Sequence, residues 1–428
     1  MNFPHSLIRK YSITKGNLHL NSGYVSNKDF AKAPCEHMVE MSKSVTRLLE
    51  YCRKNDWAGF DPYDALNSRL FNFTPFIRSR ICRIALTQIL KRLPINLRPL
   101  LFVPREQNPK AIALFLRAFL KLSRTGMLRS NDLIETMVER LVALKSPNTH
   151  YWCWGYCFPW QTRNDLVPRW APNLVCTTFA ANALLDAYES NHVPRYLDMA
   201  VSAADYVLNE LYWEDNKTRS TGFSYPIPGL LTRVHNANFL GAAHLCRVYR
   251  HVGEKRFLEP ALRVARYSAA RQKDDGSWDY GEAPTQRWVD NFHTGYNLCA
   301  LQSIHEYTGT SEFETHLRRG FNFYREHFFR DDGAPRYFHN RTYPIDIHCV
   351  AQSIITLLAL KDIGGGNVTL ANTIMGWVMT HMWDERGYFY HQVLPFGTNK
   401  ISYMRWSQAW MLLALSVHLE QEYSNYGR

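Results

Sequence analysis

The sequence predicts an all-α protein assembled from repeated helical hairpins. Three observations predict it. Apolar residues recur at helical spacing through one segment after another. Glycine/aromatic loops return at a nearly fixed interval: Gly222, Gly276, Gly333 and Gly387 stand 54, 57 and 54 residues apart. Each loop leads into a helix rich in Ala and Leu. A helical pair of that period cannot bury both of its faces alone, so pairs must stack, as an open solenoid or a closed ring.

Taken in order, residues 1–35 lack periodicity and read as an irregular arm. Met38, Met41, Val45, Leu48, Leu49 and Cys52 then mark an amphipathic helix over 37–54. The loop 55–68 follows, with Gly59, Asp61-Pro62 and a second acid, Asp64. Helices are expected near 76–93, 109–124 and 130–147, then an aromatic loop over 151–160. From there the hairpins alternate. Inner helices are expected at 177–189, 236–250, 292–307, 348–361 and 402–420, and outer ones at 195–211, 256–271, 312–328 and 368–382. Counting 76–93 as inner and 37–54 and 130–147 as outer gives six of each. The helix 109–124 is left over. The last inner helix has no outer partner after it, and the first outer helix has no inner partner before it. A ring closed by the two ends of the chain needs that arrangement. The expected division is therefore an arm over 1–35 and one repeat domain over 36–428.

Composition narrows the function. With 428 residues and 46% apolar content the chain can bury a large core. The 12 Trp and 24 Tyr are explained in part as buried core residues, and a cleft that stacks on sugar rings is the second explanation. A net charge of +12 fits an anionic partner, such as an acidic glycan or sugar nucleotide, and equally an ordinary basic surface. Nucleic acid is not expected, because no run of five basic residues and no recognition motif occurs. The nine cysteines are unpatterned and no apolar leader opens the chain, which together predict reduced thiols and a cytoplasmic protein. No apolar stretch of about 18 residues exists, so no membrane span is expected. No nucleotide fingerprint is present, and Cys153, Cys157, His348 and Cys349 make no zinc motif, so neither cofactor nor metal is expected. The oligomeric state is not legible.

The repeated hairpins, with loops such as Asp275-Gly-Ser-Trp-Asp-Tyr280, resemble the six-hairpin (α/α) toroids. That group holds glycosidases, unsaturated-uronyl hydrolases, polysaccharide lyases, sugar 2-epimerases and glucuronyl C5-epimerases. The likeness covers about residues 36–420. The loop 59–68 is also similar to one in toroid proteins of bacterial surface-polysaccharide gene clusters. The resemblance implies an (α/α)6 toroid whose mouth is ringed by the loops preceding the inner helices. It implies an enzyme of polysaccharide metabolism or biosynthesis, with an acidic oligo- or polysaccharide as partner.

Candidate site residues cluster at those helix starts. His235, His293, His348 and Arg405 recur at intervals of 58, 55 and 57 residues. Helix N-termini carry partial positive charge, so four basic residues there would form a cleft for carboxylates or phosphates. Asp290, Asn291 and His293 place an acid beside an imidazole, which suits proton transfer and equally suits helix capping. Asp346 and His348 repeat the pairing. Glycoside hydrolysis needs two carboxylates, for which Asp290 with Asp64 or Asp346 are the candidates. Lyase or epimerase chemistry needs a base and groups that steady an enolate-like intermediate, for which His293, Tyr296, Asn236 and Arg405 are the candidates. Trp154, Trp278 and Trp406 are expected to stack on sugar or to plug the ring. A non-catalytic glycan-binding or scaffold toroid is the remaining alternative.

Overall fold

A computed structural model describes the backbone of residues 10–14, 17–21, 27–129 and 131–426, and the side chains of 38–129 and 131–424. The helices in chain order are α1 (Asn27–Lys54), α2 (Arg69–Asn72), α3 (Arg80–Arg92), α4 (Pro109–Arg124) and α5 (Asp132–Ala143). Next come α6 (Leu174–Asn191), α7 (Pro194–Tyr206), α8 (His235–Val252) and α9 (Lys255–Ala269). The series ends with α10 (Asn291–Thr308), α11 (Glu314–His327), α12 (Ile347–Ala359), α13 (Asn367–His381) and α14 (Trp410–Tyr426), the last opened by a π-turn over Met404–Ala409.

Six of these form an inner ring. Helix α4 packs on α6, α6 on α8, α8 on α10, α10 on α12, α12 on α14, and α14 returns to α4. Outer helices follow their inner partners: α5 on α4, α7 on α6, α9 on α8, α11 on α10 and α13 on α12. The sixth hairpin joins the chain's two ends, because α1 packs on α14. This is the (α/α)6 toroid, closed as the unpartnered first and last helices predict.

One assignment is corrected. The inner position expected for 76–93 belongs to α4. A ring helix is covered on every side and must be apolar nearly all round. Ala111 to Leu116 are wholly buried, whereas α3 carries Arg80, Arg83, Lys91 and Arg92 and buries only Thr87 and Leu90. Helix α4 starts where Asn108 accepts a hydrogen bond from the Lys110 amide and Pro109 fills the first helical position.

The 1–35 segment also differs from a plain arm. Strands β1 (Lys10–Thr14) and β2 (Asn17–Asn21) pair antiparallel, and α1 begins at Asn27. Residues 1–9, 15–16 and 22–26 of that arm lie outside the described residues. Short strands trim the loops: β3 (Trp160–Gln161) with β4 (Leu166–Val167), and β5 (Tyr212–Asp215) with β6 (Ser220–Phe223). A third small sheet orders β7 (Ile345–Asp346), β10 (Gln392–Leu394) and β11 (Gly397–Asn399), while β8 (Trp383–Asp384) pairs with β9 (Tyr388–Phe389).

The loop glycines lock neighbouring hairpins together. Gly276, Gly333 and Gly387 have φ of +92°, +86° and +91°. A Cβ at these sites would meet Arg319 of α11, Thr373 of α13 and Arg47 of α1, respectively. Each loop therefore leans on the outer helix of the next hairpin, and the last leans on the first.

Candidate active site

The N-termini of the six inner helices surround a cavity of about 360 Å³. One rule builds its wall. The second residue of each inner helix lines it: Lys110, Val175, Asn236, Phe292, His348, and Arg405 in the π-turn that opens α14. Six helix N-termini thus direct partial positive charge to one place. Twelve of the twenty wall residues are aromatic, which leaves room for few charges. The basic side chains besides the histidines are Lys91, Lys110 and Arg405, and Asp290 is the sole carboxylate among the described wall residues.

Asp290 caps α10 and orients His293. Its Oδ1 accepts the His293 amide at 3.0 Å, and its Oδ2 lies 2.7 Å from His293 Nδ1. The Trp288 indole N–H donates to the same Oδ2 at 2.9 Å. Capping and orientation are thus one device. With Nδ1 engaged, His293 has Nε2 left for the cavity.

A second unit faces it. Tyr296 Oη lies 2.7 Å from His348 Nε2. The His348 ring is stacked against Phe292 and Trp410, with centroids at 4.6 and 4.5 Å. Burial, then the charges of Lys110 and Arg405, holds His348 well below the usual imidazole range. Such a shift favours the neutral ring of His348, against its expected role as a cation for a carboxylate. Burial likewise pushes the Tyr296 phenol well up.

Arg405 reaches the cavity already paired. Its guanidinium binds Asp61 twice, at 2.5 and 2.7 Å, and both side chains are buried. Burial opposes its charge, but Asp61 more than compensates, so it stays ionised. Lys110 differs. It is 3% exposed, and its ammonium lies 4.1 Å from the Phe179 ring centre, 5.3 Å from Trp410 and 5.4 Å from Tyr296. It donates to Tyr296 Oη at 3.5 Å. Burial, with Arg405 adding to it, pulls its pKa well below the ordinary lysine value. Contact with ring faces offsets part of that cost, by about 2 kcal/mol where a cation is desolvated.

The structure brings Asp290, His293, Tyr296, Asn236, His348, Arg405 and Trp406 together in the wall. It does not bring the others. His235 turns from the cavity to Ser268 of α9, 3.3 Å from its hydroxyl, and burial pushes its pKa down to about 4. Asn291 faces outward as well, accepting from Tyr324 and Ser353. Both are first residues of their helices, rotated by about 100° from the second. Asp64 is held in a buried ion pair with Arg98 at 2.6 Å. Asp346 stands behind the wall, where it accepts from the His348 amide, Trp406 Nε1 and Gln392 Nε2. Trp154 and Trp278 are core residues, donating to the carbonyls of Leu141 and Ser268 and thereby tying their loops to α5 and α9. Lys110 and Lys91 were missed. Asn108-Pro109 before an apolar run is a helix-start signal that could have placed Lys110 at the mouth.

Below the rings of Phe179, Tyr296 and Trp410 lies a second cavity, of about 530 Å³, at the opposite ends of the inner helices. Its basic residues are paired, Arg117 and Arg247 on Asp186 behind the wall and Lys121 on Glu420, while Glu306 accepts from Gln302. Tyr296 lines both cavities, so the partition is one side chain thick there.

No family model matches the chain, and no curated protein matches it. Solved structures do. A cellobiose 2-epimerase from Bacillus thermoamylovorans B4167 aligns with TM-score 0.57 at 12% identity, covering 75% of this chain and 90% of that one. An unsaturated glucuronyl hydrolase specific for heparin aligns with TM-score 0.55 at 11% identity, over 74% and 88%. A polysaccharide lyase aligns with TM-score 0.54 at 8% identity, over 91% and 98%. At these identities the likeness is one of fold.

Proposed function

We propose that residues 36–428 act as one catalytic unit, a carbohydrate-active enzyme that removes a proton beside the carboxylate of an acidic saccharide, as an epimerase or a lyase. One observation carries this reading. The cavity presents an oriented imidazole, Asp290–His293, and a Tyr296–His348 pair around an aromatic pocket with more basic than acidic side chains in its wall. His293 Nε2 serves as base, with Asp290 steadying the imidazolium that forms. Tyr296 returns a proton to the sugar or to its leaving group. Lys110 and Arg405 hold the carboxylate and the negative charge that develops on it. Asn236, whose Oδ1 is buried without a protein partner, takes a sugar hydroxyl. The fold shared with an epimerase, a glucuronyl hydrolase and a lyase supports a saccharide substrate. The described cysteines are free thiols, which supports a cytoplasmic address. Hydrolysis by two aspartates is less well served, because Asp64 and Asp346 are both committed elsewhere.

The test is incubation with uronate oligosaccharides in D2O. Deuterium at the carbon next to the carboxylate, or new absorbance near about 235 nm from a conjugated double bond, is expected. Asp290→Asn should cut either signal by about a hundredfold or more while the protein stays folded, since asparagine still caps. New reducing ends with no exchange and no absorbance would replace this reading with hydrolysis.

A further inference from the structure

The segment between α2 and α4 breaks the usual surface pattern. Residues 69–102 contain seven Lys or Arg and no Asp or Glu. They also hold eight of the fourteen large apolar side chains exposed among the described residues. Phe73 is 90% exposed, Ile81 75% and Leu100 72%. Along α3, Ile81, Ala85, Ile89 and Arg92 are exposed as one stripe at helical spacing, with exposed Arg80 beside its start. The segment is one surface. The Arg83 guanidinium donates to the carbonyls of Ile77 and Arg78, which ties α3 to the turn carrying Phe76. The Arg69 amide donates to the Phe102 carbonyl and Ser68 Oγ to the Leu101 carbonyl, which ties in the far end. Exposed Arg69, Arg78, Arg80 and Arg92 lie among the apolar groups.

From this we infer that residues 69–102 dock the protein on an anionic membrane surface. An apolar face flanked by arginines, with no acid in the segment, matches the boundary between acyl chains and anionic headgroups. A protein partner would have to supply an acidic apolar surface of its own. No described helix is long and apolar enough to cross a membrane, so the contact is peripheral. The orientation has a consequence. Helix α3 turns Ile81 and Ile89 outward and Lys91 into the wall of the cavity, so docking sets the cavity mouth beside the lipid.

The full chain is tested by sedimentation with vesicles of phosphatidylcholine alone or mixed with phosphatidylglycerol. Binding to the mixed vesicles only, weakening as salt is raised, is expected. The double variants Phe73→Ser/Phe76→Ser and Ile81→Ser/Ile89→Ser alter exposed residues and should fold, yet lose binding. Each of Arg78→Ala and Arg80→Ala should weaken it about fivefold at low salt. A protein that stays in the supernatant with both vesicle types overturns the inference. So does a dimer that the serine variants convert to monomer without any vesicle binding, which would make a second copy the occupant. Asp290→Asn should bind vesicles like the unaltered protein, so this result is independent of the catalytic reading.

Discussion

Single residues at the starts of the inner helices decide what the cavity can do. Position two faces in and position one faces out, so His348 and His235 have opposite fates although both are histidines at a helix mouth. Neither carries a charge. Burial pushes His235 down to about 4 and His244 to about 3, and holds His348 well below its ordinary value. In the unfolded chain each titrates near about 6.5. Between roughly pH 6.5 and 4 the unfolded state thus binds more protons than the folded one, so stability falls as pH falls. Each histidine contributes up to about 1.4 kcal/mol per pH unit on the steep part of that range. Urea midpoints from pH 7 to 5 should show the decline, and His235→Asn, which can still meet Ser268, should lessen it by its own share. A midpoint unchanged over that range would contradict neutral, buried imidazoles.

At the scale of elements, close approach between helices sets the geometry of the pair opposite His293. Gly295 of α10 lies against α12, where a Cβ would come within 2.7 Å of Thr356 Oγ1 and 2.8 Å of Gln352 Cγ. That contact lets Tyr296 reach His348 across the two helices. Gly295→Ala should therefore cost about 1–3 kcal/mol by overpacking and reduce turnover with it. A thermal melt and an initial-rate assay check both, and an unchanged Tm would show that the helices can part freely. The same scale explains what the sequence made legible. Hairpin period, outer helices and the Asp290–His293 cap could be read because glycine loops, apolar spacing and capping residues are local signals. Rotational phase is not local. Spacing alone makes the basic residues His235 and His293 equivalent, yet the helices put Asn236, Phe292, His348 and Arg405 in register, 56, 56 and 57 residues apart. The shift of one residue in opposite directions at the first two sites hid the true repeat. Taking 76–93 as an inner helix hid Lys110 for the same reason. Which carboxylates pair with arginines depends on contacts such as Arg405 with Asp61, 344 residues apart, and no spacing reports them.

The whole molecule is a ring whose last joint is made by its two ends. An open stack of repeats loses only its terminal unit when cut, because each repeat touches only its neighbours. Here α14 packs on α1, α4 and α12 at once. A chain stopped at residue 400 should consequently lose the cooperative melt of the entire protein, seen by circular dichroism and by rapid proteolysis throughout. Protection of residues 174–381 against protease would contradict this. The partition of Phe179, Tyr296 and Trp410 has a consequence at this scale too. It closes the floor of the upper cavity, which is therefore not a through-tunnel. A polymer cannot be threaded through such a cavity and cut or altered midway along its length. On the proposed reading, a saccharide enters by one terminus and backs out the same way, so each encounter serves one end unit before release.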